Sequence, residues 1–382
     1  MDILDTSQQE LREELRTAAR AMLSAHSSSA QVRELAESAH GFDAELWRRF
    51  TVLGWPSIEV GEDHGGAGGS FGDLAVILVE LGRHLCGNGL MATAALGAGP
   101  LLGAEAGSYA APYLRRLAEG DFRAAAVVGG TGSDHLQAVR AGDGWGVSGT
   151  ASLIADVAGS DLVILPVTDA DGMRLVFAVD PARSGLTWVD APMLDITRRF
   201  ADLDARGLRV RDTEVLARGP AAEALVADLL NRAALATACD AFGVAERALQ
   251  MTTAYAKQRI QFGRPIGSFQ AIKHRCADMF IAVETARAVL DDAIDGYDAT
   301  PATAAVAISR AKSYCCDAAA QVTEDAVELH GGIGFTWEHD MHLYVKRARL
   351  DQALFGDSRW HRRRVAALTL TLTPGQAAEH LS

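Results

Sequence analysis

Arg259 stands where one side chain can do ligand chemistry. In Tyr255-Ala-Lys-Gln-Arg259-Ile-Gln-Phe262-Gly263-Arg-Pro265-Ile266, a helix ends at a glycine, with a guanidinium one turn upstream and a proline that stops continuation. Such an arginine can fork onto phosphate oxygens. It can equally be a C-terminal cation meeting the helix dipole. Two glycine clusters raise a similar choice. Gly331-Gly332-Ile333-Gly334 allows close backbone approach to a ligand, or is an ordinary helix-ending turn. Gly129-Gly130-Thr131-Gly132-Ser133-Asp134 offers N–H groups and a hydroxyl to a planar cofactor or an anion, or is a plain loop. Near the C-terminus Lys346, Arg347, Arg349, Arg359, His361, Arg362, Arg363 and Arg364 make a basic belt in an acidic chain. It fits phosphates, a neighbouring acidic subunit, or a solvated helix face.

Other chemistries lack their residues. Gly68-Gly-Ser70-Phe-Gly72 fits G-x-S-x-G, but that pattern needs a strand-to-helix elbow, and a glycine-rich loop precedes it here. Ser70 with Asp73 reads instead as a capping box. There is no G-x-G-x-x-G, Walker A or H-E-x-x-H sequence, and the dispersed histidines predict no metal centre. A net charge of -13 argues against a nucleic-acid partner, which needs a basic face. No run of 18 apolar residues predicts a membrane span, and Met1 to Leu15 has neither the basic start nor the apolar stretch of a secretory signal. Five scattered cysteines without a C-x-x-C predict free thiols and a cytoplasmic location.

The elements that must position these residues fall into three segments. Residues 1–121 read as helical: Leu11, Leu15, Ala19 and Met22 share helical spacing, and helices are expected near Phe42–Leu53, from Ser70 through Leu81, and around Pro112–Leu117. Residues 122–218 carry short branched runs between turns, at Ala124–Val128, Asp161–Val167, Arg174–Val179, Leu186–Val189 and Leu208–Val210. They predict a mainly antiparallel sheet with no intervening helices. Residues 219–382 return to long helical patterns, Leu225–Arg259, Phe269–Ile294, one from Thr300-Pro301 to Leu329, and one from Met341, as in a bundle.

Taken together and in this order, the glycine and arginine sites resemble the acyl-CoA dehydrogenase family. The resemblance rests on Leu53-Gly-Trp55 with Glu62-Asp-His-Gly-Gly66, Gly132-Ser-Asp134, Val147-Ser-Gly149-Thr150, Tyr255–Ile266 with Phe269-Gln270, and His330-Gly-Gly-Ile-Gly-Phe-Thr-Trp-Glu-His339. It implies an α+β fold: a helical N-terminal domain, a middle antiparallel β domain and a C-terminal four-helix bundle. It also implies FAD at a subunit interface. Arg259, Phe262, Gln270, Gly331 and Gly332 would meet its pyrophosphate or adenine side, and Gly132 and Ser133 the isoalloxazine and thioester. The family dehydrogenates acyl-CoA thioesters across Cα and Cβ. A glutamate takes the α-proton while hydride leaves for the flavin.

This sequence departs from that pattern at the base. Family members carry the glutamate in a Tyr-Glu-Gly-Thr-like turn, which is Leu354-Phe355-Gly356-Asp357 here, or ten residues before a glycine matching Gly243, which is Ala233 here. Asp240 and Asp357 remain as weak substitutes. Val127-Val128-Gly129 replaces Thr-Glu-Pro, Leu153 stands for the tryptophan that covers the flavin, Glu328 for a glutamine and Ala234 for an arginine. The Phe-Gly-Asp ending with Phe-Thr-Trp-Glu-His resembles the degenerate subunit of actinobacterial α2β2 enzymes of sterol side-chain breakdown, in which a homologous partner supplies the base. Three readings follow: a partner-dependent dehydrogenase subunit, a homomeric dehydrogenase with an unconventional base, and a non-catalytic acyl-CoA or flavin-binding scaffold. Electron-transfer flavoprotein is the acceptor the resemblance implies.

Overall fold

The structure is a computed structural model that describes residues 3–38, 41–128, 135–183 and 185–370. The N-terminal helices are α1 (Ile3–His26), α2 (Ser29–Glu37), α3 (Ala44–Val52), α4 (Phe71–Arg83), α5 (Ala98–Leu102) and α6 (Ala111–Glu119). On α1 the buried positions are Ala19 and Leu23, while Leu11, expected inside, is exposed. That side of the helix faces solvent, while its neighbour Arg12 bonds Asp73 and Asp298. Asp43 caps α3 by accepting from the amides of Glu45 and Leu46, and Trp47 and Phe50 are buried. Ser70 and Asp73 form the expected capping box of α4. Ser70 also donates to Asp298 of the bundle at 2.9 Å, so this serine ties two segments together. Sequence patterning missed α2, which opens with a Ser28/Gln31 capping box and buries only Val32. It also missed a π-helical stretch, Met91–Gly97, directly before α5.

The middle segment holds β1 (Ala124–Ala126), β2 (Gln137–Ala141), β3 (Gly144–Ala155), β4 (Leu162–Asp169), β5 (Arg174–Val179), β6 (Leu186–Asp190), β7 (Phe200–Arg211) and β8 (Val215–Arg218). They make one sheet in the order β6-β7-β3-β2-β4-β5-β8, with β1 beside β4. The sheet is mainly antiparallel, as expected, but mixed: β1 and β2 both run parallel to β4. The run of small buried residues in β1 pairs with the interior strand β4, whose side chains are buried on both faces. Alternation therefore could not set its direction.

The C-terminal helices are α7 (Gly219–Gln258), α8 (Gln270–Ala299), α9 (Ala305–His330), α10 (Met341–Ala353) and α11 (Ser358–Thr369), with a two-residue-strand hairpin, β9 (Ile260–Gln261) and β10 (Arg264–Pro265), between α7 and α8. Proline at 301 begins a single 3-10 turn, and α9 starts only at Ala305. Glycine lets α4 and α7 cross closely. A Cβ at Gly243 would lie 2.0 Å from the Val79 carbonyl oxygen, and one at Gly82 would lie 2.1 Å from that of Asp240. The crossing fixes where Asp240 points. No helix among the described residues is long and apolar enough to cross a membrane.

Candidate functional site

The turn that would carry a base joins α10 to α11. Phe355 and Gly356 are both left-handed, at φ 54° and 96°. Gly356 tolerates this, whereas Phe355 is held there by its surroundings. The buried ammonium of Lys312 on α9 donates to the carbonyls of Asp351 (2.8 Å) and Gly356 (3.0 Å), on either side of Phe355. The His361 Nε2 lies 3.1 Å from the Phe355 carbonyl oxygen. Burial, helped by the Lys312 charge, pushes the His361 imidazole down to about 3, so it stays neutral and its Nε2–H donates to that oxygen. The Phe355 ring packs with Phe200, Leu350 and Leu354, beside Ala155 of β3 and Met193. A benzyl group in an apolar cluster does no proton transfer.

The substitute carboxylates are both engaged elsewhere. Asp357 is the N-cap of α11, accepting from the Trp360 amide at 2.7 Å. Asp240 is fully buried on α7 and meets two guanidinium groups, Arg347 at 3.1 Å and Arg198 at 2.9 Å. Burial alone would raise its pKa, but Arg198 and Arg347 hold it below the ordinary carboxylate range. It is a fixed anion, not a poised base. Ala233 and Ala234 have no exposed surface. Their neighbour Arg232 is buried too, paired with Glu59 and donating to the Ala95 carbonyl at 2.8 Å.

Sequence reasoning missed the cluster around Asp240. Arg347 also pairs with Asp195 at 2.7 Å, donates to the Leu85 carbonyl at 3.3 Å, and reaches the Thr197 hydroxyl. Arg198 approaches Asp351 at 3.7 Å. Two arginines thus face three aspartates. Burial first, then the Asp240 charge, drive the Asp351 pKa well up, and the cluster keeps a proton there. The sequence held one signal of this: Arg347 and Asp351 are four apart and both charged on a helix that must pack. Arg347 was read as part of the basic belt. The belt is broken up in three dimensions, since Arg349 pairs with Glu324, Arg362 with Asp317, and Arg364 donates to Asn231 at 2.7 Å.

The glycine and arginine sites at the bundle end do converge. Tyr255 near the end of α7 stacks on His330 at the end of α9, ring centroids 4.5 Å apart, and its hydroxyl lies 3.4 Å from the His330 carbonyl. That contact sets the Arg259 hairpin beside the Gly331-Gly332 turn. Arg259 is exposed, and its side chain has no ion-pair or hydrogen-bond partner among the described residues, while its backbone bonds Tyr255 and Ile266. Phe262 is 91% exposed and left-handed at φ 51°. Gln270 opens α8 and is exposed. A Cβ on Gly331 or Gly332 would meet nothing within 4 Å, so bare backbone faces open space. A free guanidinium, an exposed ring and open glycine backbone suit the pyrophosphate and adenine end of a dinucleotide. Gly132 and Ser133, expected at the ring end, lie outside the described residues. Leu153, where an aromatic cover is expected, is left-handed and 42% exposed.

A helical segment, a sheet and a helical bundle, in that order, make up the architecture of the acyl-CoA dehydrogenase fold. Residues 6–121 match the acyl-CoA dehydrogenase N-terminal domain, and residues 224–370 match the acyl-CoA dehydrogenase C-terminal domain. The chain belongs to the acyl-CoA dehydrogenase family, whose members are FAD-dependent flavoproteins. It is 36% identical over 366 residues to acyl-CoA dehydrogenase IpdE2 of Mycolicibacterium smegmatis, covering 94% of this chain and 98% of the relative. Among solved structures it resembles the ChsE4-ChsE5 complex of Mycobacterium tuberculosis, with TM-score 0.87, 27% identity, and 95% and 98% of the two chains covered. It also resembles a Tcur3481-Tcur3483 steroid ACAD variant, with TM-score 0.85, 28% identity and the same coverage.

Proposed function

We propose that this chain is a partner-dependent subunit of an FAD-dependent acyl-CoA dehydrogenase, acting in an α2β2 assembly whose homologous subunit supplies the catalytic glutamate. The observation that carries this is the Phe355 turn. Its backbone is braced by Lys312 and His361 as a functional turn would be, yet its side chain cannot accept a proton. Asp240 and Asp357, the carboxylates left nearby, are held by Arg198 and Arg347 and by the α11 amide.

The substrate is a CoA thioester with a branched or steroid-bearing acyl group, a reading supported by the steroid enzyme among the similar structures. The pairing of unlike subunits is supported by the ChsE4-ChsE5 complex. Bound FAD would supply the acceptor for the hydride that leaves the thioester β-carbon. In this reading Arg259 neutralises its pyrophosphate charge across the interface. Phe262, Gln270, Gly331 and Gly332 hold the adenine side, and Gly132 and Ser133 bind near the isoalloxazine and thioester. Electron-transfer flavoprotein takes the electrons onward, and the compartment is the cytoplasm.

The test is co-expression with a homologous family member that carries the glutamate. FAD per assembly and acyl-CoA-dependent bleaching of the flavin are then measured, against this chain alone. Flavin retention and bleaching only in the mixed assembly support the proposal. Bleaching by this chain alone at enzymatic speed favours a homomeric dehydrogenase. No flavin in any assembly favours a scaffold.

A further inference from the structure

A cavity of about 330 Å3 lies between α1, α2, α4, α7 and the start of α10. Three guanidinium groups line it, Arg20, Arg83 and Arg247, against one carboxylate, Asp340. This surplus of cations stands in a chain of net charge -13. Arg83 is 5% exposed and fully engaged, paired with Glu80 and Glu246 and donating to Gln250. Arg20 forks onto Glu80 through Nε and Nη2, at 3.1 and 2.7 Å, and its Nη1 has no hydrogen bond among the described residues. Arg247 is exposed and pairs with no carboxylate among the described residues. It donates to the hydroxyl of Tyr344, which itself donates to the Arg83 carbonyl at 2.7 Å. A fixed phenol thus holds this guanidinium in place without cancelling its charge. Asp340 is taken by Arg33 at 2.8 Å. Burial keeps the His84 imidazole neutral, so it adds no charge to the wall. The Ser29 hydroxyl, also on the wall, has no partner among the described residues.

We propose that this cavity binds a phosphate monoester carried on a small organic body. Arg247, the Arg20 Nη1 and the Ser29 hydroxyl are donors that the fold leaves unused, and a dianion among them gains charge-assisted hydrogen bonds. The cavity has room for more than a bare phosphate, and Leu85 and Met251 give the remainder an apolar wall. Asp340 stands beside the anion as a like charge and opposes it, which fixes the sign expected of one variant. Two sources offer this chemistry: a free sugar phosphate, and the ribose 3′-phosphate of coenzyme A. The cavity shares no residue with the Arg259 patch, and the proposal does not rest on the proposed function.

Calorimetric titration of the purified full chain with ribose 5-phosphate tests it, with ribose as the uncharged control. Saturable binding of the phosphate and none of ribose is expected. Arg247→Ala should weaken binding about tenfold or more with an unchanged circular dichroism spectrum, because that side chain is exposed and outside the core. Asp340→Asn should tighten it about two- to threefold by removing the like charge, an effect that general damage would not produce. Arg259→Ala should leave it unchanged. Displacement of ribose 5-phosphate by coenzyme A but not by its 3′-dephospho form supports the coenzyme as source, and displacement by neither supports a free sugar phosphate. Displacement by both forms alike overturns the monoester assignment, as does inorganic phosphate binding as tightly as ribose 5-phosphate. The proposal also fails if the wild-type chain shows no saturable binding at millimolar concentration, if Arg247→Ala binds as wild type does, or if Arg259→Ala abolishes binding.

Discussion

Arg347 Nη1 lies 3.1 Å from Asp240 Oδ1, and neither side chain has exposed surface. The pair joins α10 to α7, and through Asp195 it joins both to the segment between β6 and β7. Removing one member of such a pair strands the other in low dielectric. Asp240→Asn is expected to cost about 3–5 kcal/mol, read from urea or thermal unfolding. Asp351→Asn replaces a carboxyl already neutral in the fold and removes the proton release that favours the unfolded chain, so it is expected to be no less stable than wild type at pH 7. Equal losses from the two substitutions would contradict the assignment of the proton to Asp351.

That proton also sets a pH slope. The folded Asp351 pKa lies above the unfolded one, so the native chain binds a proton that the unfolded chain has released. Its stabilising effect is complete below the ordinary carboxylate range and is lost as pH rises through the folded value. In Asp351→Asn this contribution vanishes, so the urea midpoint of the variant should rise relative to that of wild type between mildly acidic and neutral pH. Parallel midpoint curves for the two proteins would exclude it.

Histidine burial acts in the opposite sense at lower pH. His361, brought down to about 3 by burial and then Lys312, excludes a proton that the unfolded chain accepts near its ordinary value. Burial lowers His330, and with it His84, His339 and His342. Stability from these groups is present above the unfolded value of about 6.5 and is lost as pH falls below it. Thermal unfolding midpoints should drop from pH 7 to 5, and His361→Gln should make that drop shallower. An unchanged drop would show that His361 does not contribute.

The Arg259 side chain has no partner among the described residues, so its removal should spare the fold and weaken a bound anion. Arg259→Ala is expected to weaken FAD binding by the mixed assembly about 10–100-fold, the worth of a charged hydrogen bond. Flavin absorbance after dialysis measures this, with Arg259→Lys intermediate. Normal flavin content would assign the arginine to the helix end alone.

The α4–α7 crossing admits no extra methyl at Gly243, because the Val79 carbonyl would stand 2.0 Å from it. Gly243→Ala is expected to cost about 1–3 kcal/mol and to disturb Asp240 through the same crossing. Unfolding midpoints check the first effect. Loss of the pH slope shared with Asp351 checks the second.

Motif spacing made the family legible, and with it the three-segment order and the empty base positions, because chemistry-bearing residues at fixed offsets survive as a pattern. Local rules found the Ser70 capping box and strand β5 to the residue. They missed α2, which buries only Val32, and the parallel pairing of β1, where three buried alanines alternate in nothing. They also placed Arg347 in a surface belt.

By itself the sequence determined which residue types are available: phenylalanine and alanine at the two positions where the family resemblance expects a proton acceptor, and arginine and glycines where it expects a phosphate. Only the tertiary structure decided what each charge does. Whether an aspartate is a base, a cap or half of a buried ion pair depends on neighbours brought in from other elements. Asp240 meets Arg198 and Arg347 from distant parts of the chain, and Asp357 meets the start of the next helix. The electrostatic environment is a property of that three-dimensional neighbourhood, which no spacing along the chain encodes.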